Sequence, residues 1–154
     1  MKNTTVIFNA QRKVRISRQL RDIIRKAVDK TLELERIDYP CEVSVKLVTD
    51  AGIKKLNRDF RDIDSATDVL SFPAEEPVPS DGSPRFLGDM AIAVDFAGRQ
   101  AQAAGGTFEH EIALLTAHSV LHLLGYDHAE PDQEREMFAK QEQAVKMTFD
   151  GETT

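Results

Sequence analysis

The chain has 154 residues, of which 41% are hydrophobic and 30% charged, as is typical of one globular domain. Its apolar runs are too short to cross a bilayer, its N-terminus lacks the apolar core of a secretory signal, and its single cysteine, Cys41, excludes an internal disulfide. The net charge of -6 excludes a uniformly basic nucleic-acid-binding protein. We therefore expect one cytoplasmic domain over residues 1–154.

The net charge hides a division along the chain. Residues 1–61 hold 15 Lys and Arg against 8 Asp and Glu, whereas residues 62–154 hold 5 against 18. Such a split can give an acidic molecule one face that attracts polyanions. On charge alone, a solvated Arg-rich helix face is the favoured interpretation.

The first half of the chain alternates short strands with amphipathic helices. A β-branched run predicts a strand at residues 4–8, and Ser17 is a suitable N-cap for a helix that ends near Glu35. The apolar face of that helix consists of Leu20, Ile23, Ile24, Ala27, Val28, Thr31 and Leu32. Alternating apolar residues predict a strand over residues 43–49, and Asp50 then caps a helix with apolar positions at Ile53, Leu56 and Phe60.

The second half adds two strands and three helices. Residues 67–72 predict a strand, the proline-rich segment 74–85 a loop, and residues 87–94 another strand. Within it, residues 89–94 are expected to be the edge that flanks the functional site. The three helices are expected to begin at Asp95, Thr107 and Pro131. The pattern predicts an α+β single domain, in which a mixed sheet of roughly four strands packs with about five helices.

All four histidines lie between positions 110 and 128, and three follow the pattern H-x-x-x-H-x-x-G-x-x-H. His118 and His122 are one helical turn apart and can point two imidazoles at one ion. Gly125 is placed to end the helix in a left-handed conformation, which brings His128 back as a third ligand. Three nitrogen ligands with an open fourth position are typical of catalytic zinc, so the spacing predicts one zinc ion per chain.

This spacing is that of the metzincin peptidases, but Ser119 replaces the glutamate that serves those enzymes as general base. Asp127 or Glu109 could take its place. His110 lies eight residues before His118, a rise of about 12 Å along a helix, so it cannot bind the same ion. It either faces the cleft or caps its helix locally.

Three blocks of sequence resemble the YbeY family of bacterial endoribonucleases and rRNA maturation factors. They are L-N-R-D-F-R-D-I-D-S-A-T-D-V-L-S-F-P at residues 56–73, L-G-D-M-A-I at 87–92 and H-S-V-L-H-L-L-G-Y-D-H at 118–128. The resemblance implies a zincin-like site in which His118, His122 and His128 bind zinc. It also implies cleavage of single-stranded RNA in the cytoplasm, in small-subunit rRNA end processing and ribosome quality control, and it suggests the small ribosomal subunit as a partner.

The same resemblance gives Arg61 a catalytic role. Its planar fork of donors suits two phosphate oxygens, although the sequence alone leaves a salt bridge to Asp64 or Asp68 equally open. We expect RNA backbone to be held by the basic side chains of residues 12–30 and by Lys54, Lys55 and Arg58. Sequence-specific stacking on aromatic side chains is not expected, because the chain has no Trp and only two Tyr.

Two positions depart from the family: Ser119 stands where glycine is usual, and Leu114 where another histidine is often found. Two other functions remain open at this point. One is a zincin-type metallopeptidase, which Ser119 disfavours because serine is not a base at neutral pH. The other is a ribosome-assembly factor without catalysis, whose zinc is mainly structural.

Overall fold

The computed structural model describes residues 2–150, so residue 1 and residues 151–154 of the expected domain lie outside the described part. The strands are β1 (Thr4–Asn9), β2 (Cys41–Val48), β3 (Val69–Pro73) and β4 (Arg85–Ala93). The helices are α1 (Arg18–Leu34), α2 (Asp50–Arg61), α3 (Val94–Ala104), α4 (Phe108–Leu123) and α5 (Pro131–Asp150). The predicted α+β fold is therefore confirmed for these residues. None of their helices combines the length and apolar character needed to span a bilayer.

The strands lie in the order β1–β2–β4–β3. Strands β1, β2 and β4 are parallel, and β3 runs antiparallel to β4, so the sheet is mixed as predicted. The expectation that residues 89–94 form the edge that flanks the site was wrong, because β4 is an interior strand and the edge strand beside the site is β3. Sequence pattern within one strand does not reveal the order of strands in the sheet.

The larger core lies between one face of the sheet and the helices α1 and α4. All seven residues predicted for the apolar face of α1 are buried. Helix α5 packs across α1 and α4 through a second cluster, which consists of Ile23, Ala27, Ala113, Ala117, Ala144 and Val145. Helix α4 is thus enclosed by the sheet and by other helices, which explains why its sequence is apolar on most sides.

The opposite face of the sheet is only partly covered. Helix α2 packs over Leu70 and Ala91 through Ile53. On the uncovered part, Phe8 of β1 is 61% exposed. Phe60, one of the three apolar positions named for α2, is 68% exposed. An open apolar surface therefore remains between β1 and α2.

Two of the predicted helix starts differ by one or two residues. Thr49 rather than Asp50 is the N-cap of α2. Ala93 occupies the N-cap of α3 without a side-chain bond, and Asp95 lies buried in the first turn, where its carboxylate accepts from the Asp50 amide. The predicted starts at Ser17, Thr107 and Pro131 are confirmed.

Because Gly88 of β4 has no side chain, the edge strand β3 can lie close to β4 at this position. Its φ is 141°, and a Cβ built there would lie 2.3 Å from the carbonyl oxygen of Phe72 in β3. We expect Gly88→Ala to lower the free energy of unfolding by about 2–4 kcal/mol, because a side chain disfavours this backbone conformation and pushes the strands apart. Urea denaturation measures the change. Gly106→Ala is the control, since a Cβ there meets no atom within 4 Å; equal midpoints for the two variants would contradict the interpretation.

Candidate metal centre

The last two turns of α4 and the loop that follows assemble the three histidines. His118 and His122 have ring centroids 4.6 Å apart. The helix then ends at a left-handed Gly125 (φ 106°), whose amide donates to the His122 carbonyl at 3.0 Å. The next amide, that of Tyr126, donates to the carbonyl one residue before His122, also at 3.0 Å. These bonds form a Schellman motif, which turns the chain back towards the helix as Gly125 predicts.

His128 completes the cluster on the returning chain. Its ring centroid lies 5.8 Å from that of His118 and 5.1 Å from that of His122. One nitrogen of each ring can be chosen so that all three lie within 4.8 Å of one another. The three predicted ligands are therefore brought together, close enough for one metal ion to be bound by all of them.

The protonation state of His122 suits metal binding. Burial, followed by the neighbouring His118 and His128, lowers the pKa of His122 to about 4. Near pH 7 this imidazole is neutral, so its lone pair is available. A metal ion needs neutral imidazole ligands, and this ring is ready to bind without losing a proton first.

Gln141 on α5 sets the orientation of His118. Its Oε1 lies 2.9 Å from Nδ1 of His118, so the Nδ1–H donates to it and Nε2 keeps a lone pair for the metal. The role of Gln141 could not be predicted from the sequence, because 23 residues separate it from His118 and only the packing of α5 on α4 joins them.

The contact of Tyr126 with Lys140 of α5 restrains the loop that carries His128. The Nζ of Lys140 donates to the Glu35 carboxylate at 2.9 Å and lies 5.6 Å from the centre of the Tyr126 ring. The Glu35 side chain is only 10% exposed, so solvent screens this ion pair less than it screens a surface pair. Helix α5, the residue that follows α1 and the histidine loop all meet here, which restrains the position of His128.

The histidines open into a cleft of about 500 Å³ beside the edge strand. Its other walls are β3 and the C-terminal part of α2, where Arg61 lies. The Nη2 of Arg61 donates to the Ser71 carbonyl at 2.7 Å, and its guanidinium lies 5.7 Å from the centre of the Phe72 ring. Within residues 2–150, Arg61 forms no ion pair with Asp64 or Asp68, so the salt-bridge alternative was wrong.

Asn57 is a second residue of the site that was not predicted from the sequence. It is 4% exposed, and its side-chain amide donates to the Ser65 carbonyl at 3.1 Å. Its backbone carbonyl accepts from the Ile63 amide at 3.2 Å, so Asn57 shapes the loop between α2 and β3 that forms one wall of the cleft. It stands four residues before Arg61, a spacing that places both on one face of α2 and could have identified it.

The position after the first histidine offers no general base. Ser119 is fully buried against β3, and its hydroxyl lies 2.6 Å from that of Ser71. Of the two carboxylates suggested as substitutes, Asp127 lines the cleft, whereas Glu109 is not among the described residues that do. One carboxylate oxygen of Asp127 accepts from the His128 amide at 2.7 Å.

His110 lies outside the histidine cluster, as its spacing predicts. Its amide donates to the Thr107 hydroxyl at 3.1 Å, and its ring stacks on Phe149 with centroids 6.2 Å apart. The cap of the helix is therefore Thr107, and the His110 side chain neither caps the helix nor is among the described residues that line the cleft. Met137 is 1% exposed and lines a second cavity, of about 250 Å³, together with two of the histidines.

Known proteins resemble this chain over most of its length. A sequence model described as Endoribonuclease YbeY matches residues 6–148. The Endoribonuclease YbeY of Acetivibrio thermocellus is 38% identical over 151 residues, which cover 91% of this chain and 93% of that protein. Its counterpart in Lysinibacillus sphaericus is 39% identical over 137 residues, covering 85% and 87%. The solution structure of TM1509 from Thermotoga maritima is 29% identical, with a TM-score of 0.64 and coverage of 95% of this chain and 89% of that chain.

The contact between Gln141 and His118 predicts an effect on metal affinity. We expect Gln141→Ala to weaken metal binding by about 10- to 100-fold, because His118 loses the partner that orients its ring and selects its tautomer. Gln141→Glu keeps an acceptor and should bind at least as tightly as the wild type. Competition with a chromogenic zinc chelator measures the affinity. Gln143→Ala, an exposed position on the same helix, is the control; the same affinity in both alanine variants would disprove the role of Gln141.

Proposed function

Because the chain belongs to the endoribonuclease YbeY family, we propose that it is a zinc-dependent hydrolase that cleaves single-stranded RNA internally. The observation that carries the proposal is that one cleft contains both the three-imidazole cluster and Arg61. The imidazoles offer ligands to a metal ion, and the guanidinium offers positive charge to a phosphate. We infer that the phosphate belongs to RNA because the relatives are named endoribonucleases.

Zinc is the ion that this donor set fits best. Three neutral imidazoles are a common protein ligand set for catalytic zinc, and they leave a fourth position open. His118, His122 and His128 would hold the ion, with His118 oriented by Gln141. When bound, zinc supplies Lewis acidity and a water with a pKa near 7.

We assign Arg61 to the scissile phosphate. One of its N–H groups is engaged by the Ser71 carbonyl, and the remaining donors can bind phosphate oxygens. The bond to Ser71 and the contact with the Phe72 ring restrain the side chain, so it loses little conformational freedom on binding. A donor fixed in advance stabilises the charge that develops on the phosphoryl oxygens during cleavage.

The basic residues of α2 and the family of the chain indicate what the rest of the substrate is. Lys54, Lys55 and Arg58 are exposed on α2, the helix that carries Arg61, and can contact the RNA backbone in a salt-dependent manner. By analogy with the family, we propose that the domain of residues 1–154 acts in the cytoplasm on the ends of small-subunit rRNA, with the small ribosomal subunit as its partner.

The first test is cleavage of an end-labelled single-stranded RNA by the zinc-loaded protein. We expect His122→Ala to lose both zinc and cleavage. Arg61→Ala should keep the fold and the zinc but lower kcat/KM by roughly 10²- to 10³-fold, because it removes stabilisation of the transition state. Zinc content is measured by metal analysis, and kcat/KM from the rate of product formation.

Arg58→Ala is the matched control, since Arg58 is exposed on the same helix and is not among the described residues that line the cleft. It should raise the RNA concentration needed for half-saturation and leave the rate at saturation unchanged. Cleavage that persists equally in His122→Ala would refute the proposal and return the metallopeptidase and the assembly factor to consideration. Normal turnover by Arg61→Ala would refute the role of Arg61 alone.

A further inference from the structure

A cavity of about 250 Å³ lies between the histidine cluster and helix α5. We call it the α5 pocket. Its lining consists of His118, His128, Glu134, Met137, Phe138 and Gln141. The cavity is smaller than the pockets of about 300–1,000 Å³ that hold drug-sized ligands, so it suits a group of the size of one nucleobase.

Two of the three histidines connect the α5 pocket with the cleft. His118 and His128 line both cavities, whereas His122 lines the cleft and is not among the described residues of the α5 pocket. Arg61 likewise lines the cleft alone of the two. An RNA strand with its scissile phosphate between the histidines and Arg61 would therefore have a flanking nucleotide at the α5 pocket.

Helical spacing places the polar and aromatic side chains of the pocket on one face of α5. Glu134, Phe138 and Gln141 stand at positions i, i+4 and i+7 of this helix. Gln141 fixes the face against the histidine cluster, because it accepts from Nδ1–H of His118 at 2.9 Å. Phe138 precedes Gln141 by three residues, about 4.5 Å along the helix axis, so its ring stands within one turn of a side chain that contacts a metal ligand.

The ring of Phe138 is available for binding. It is 58% exposed, although a phenylalanine ring could bury a large apolar area. Among the described residues, it is neither in an apolar core cluster nor packed against one. The residue before it, Met137, is 1% exposed and supplies the apolar contact of this turn with the interior. An aromatic ring that stands free beside the cleft offers a flat surface on which a base can stack.

The carboxylate of Glu134 selects what can enter the pocket. Glu134 is exposed in the first turn of α5. The neighbouring Arg135 pairs with Asp132, and within residues 2–150 no ion pair neutralises Glu134. A carboxylate repels a phosphate and accepts hydrogen bonds from N–H groups. The pocket therefore disfavours the RNA backbone and favours a base that presents N–H donors.

We propose that the α5 pocket binds one base of the RNA beside the scissile phosphate and prefers guanine; this inference rests on the proposed function. The base would stack on Phe138 and donate to Glu134. Guanine has two neighbouring N–H groups on its Watson–Crick edge, which match the two oxygens of a carboxylate. Uracil has one N–H between two carbonyl oxygens, which the carboxylate repels.

Other occupants fit the pocket less well. An apolar protein segment would cover Glu134 without offering it a polar partner, which is costly. A second metal ion is disfavoured because Glu134 does not belong to the group of potential ligands that the described residues form. The lack of Trp and the small number of Tyr predicted no stacking on aromatic side chains. A phenylalanine supplies the surface instead, and the packing of α5 on α4 places it beside the histidines.

The first test maps the products that the zinc-loaded protein forms from an unstructured RNA of mixed sequence. We expect the wild type to cut sites with guanine at one fixed flanking position about 5- to 100-fold faster than sites with uracil there. Glu134→Gln replaces one acceptor oxygen by a donor, so it should remove most of this preference and leave the rate at saturation unchanged. Glu142→Gln is the control and should keep the preference, because Glu142 is exposed on the same helix outside the pocket.

The second test measures affinity without cleavage. Fluorescence anisotropy gives the Kd of the zinc-loaded protein for a labelled 2′-O-methyl phosphorothioate analogue of the RNA, which resists nucleases. We expect Phe138→Leu to raise this Kd by about 5- to 100-fold, since leucine is apolar but does not stack. Phe138→Trp keeps a stacking surface and should bind as tightly as the wild type.

The outcomes separate the pocket from the proposed function. If the wild type cleaves RNA but cuts equally beside guanine and uracil, or if Phe138→Leu binds as tightly as the wild type, the pocket proposal is wrong and the proposed function stands. Loss of the saturating rate at every site in Glu134→Gln would also overturn the pocket proposal, because the carboxylate would then take part in the reaction. Absence of any cleavage by the wild type would overturn the proposed function, and the pocket proposal with it.

Discussion

The enclosure of α4 on almost every side is the constraint on which the rest of the structure depends. This helix contacts α1, α3, α5 and two strands, and nine of its sixteen residues are buried. The strip that carries His118 and His122 is the part that reaches the cleft. The helix cannot rotate without exposing core residues and burying the imidazoles, so packing holds the two rings in one orientation before any ion binds. The turn at Gly125 then needs only to return the chain for His128 to join them.

Features that depend only on residues close together in the sequence could be predicted from it. The apolar face of α1, the N-caps Ser17 and Thr107, the helix end at Gly125 and the meeting of the three histidines all follow from spacings of a few residues. The misplaced helix starts have the same origin, since Thr49 and Asp50 are both good N-caps and the sequence does not say which side chain will bond. Geometry at that position favours the threonine, because its hydroxyl reaches the Gly52 amide.

Features that depend on how distant elements pack could not be predicted. The bond between Gln141 and His118 requires α5 to lie along α4, and the role of β3 as the edge strand requires the whole strand order. The exposure of Phe60 is a further example. Its position in α2 is apolar by periodicity, but the sheet beneath α2 is wider than the helix, and the ring extends over the part that remains uncovered. Periodicity identifies an apolar face and does not tell how much surface is available to cover it.

The environment of Ser119 explains why no general base follows the first histidine. Its hydroxyl lies 2.6 Å from that of Ser71, and Ser119 is fully buried. A glutamate at position 119 would have to displace the edge strand or bury its carboxylate against it, at a cost of several kcal/mol. The charged side chain that α2 brings to the opposite wall of the cleft is that of Arg61. Ser71 contacts both sides, since its hydroxyl meets α4 and its carbonyl accepts from Arg61. One residue of the edge strand thus sets the distance between the histidine helix and the arginine, which ties the geometry of the cleft to the position of β3 and so to the close strand contact at Gly88.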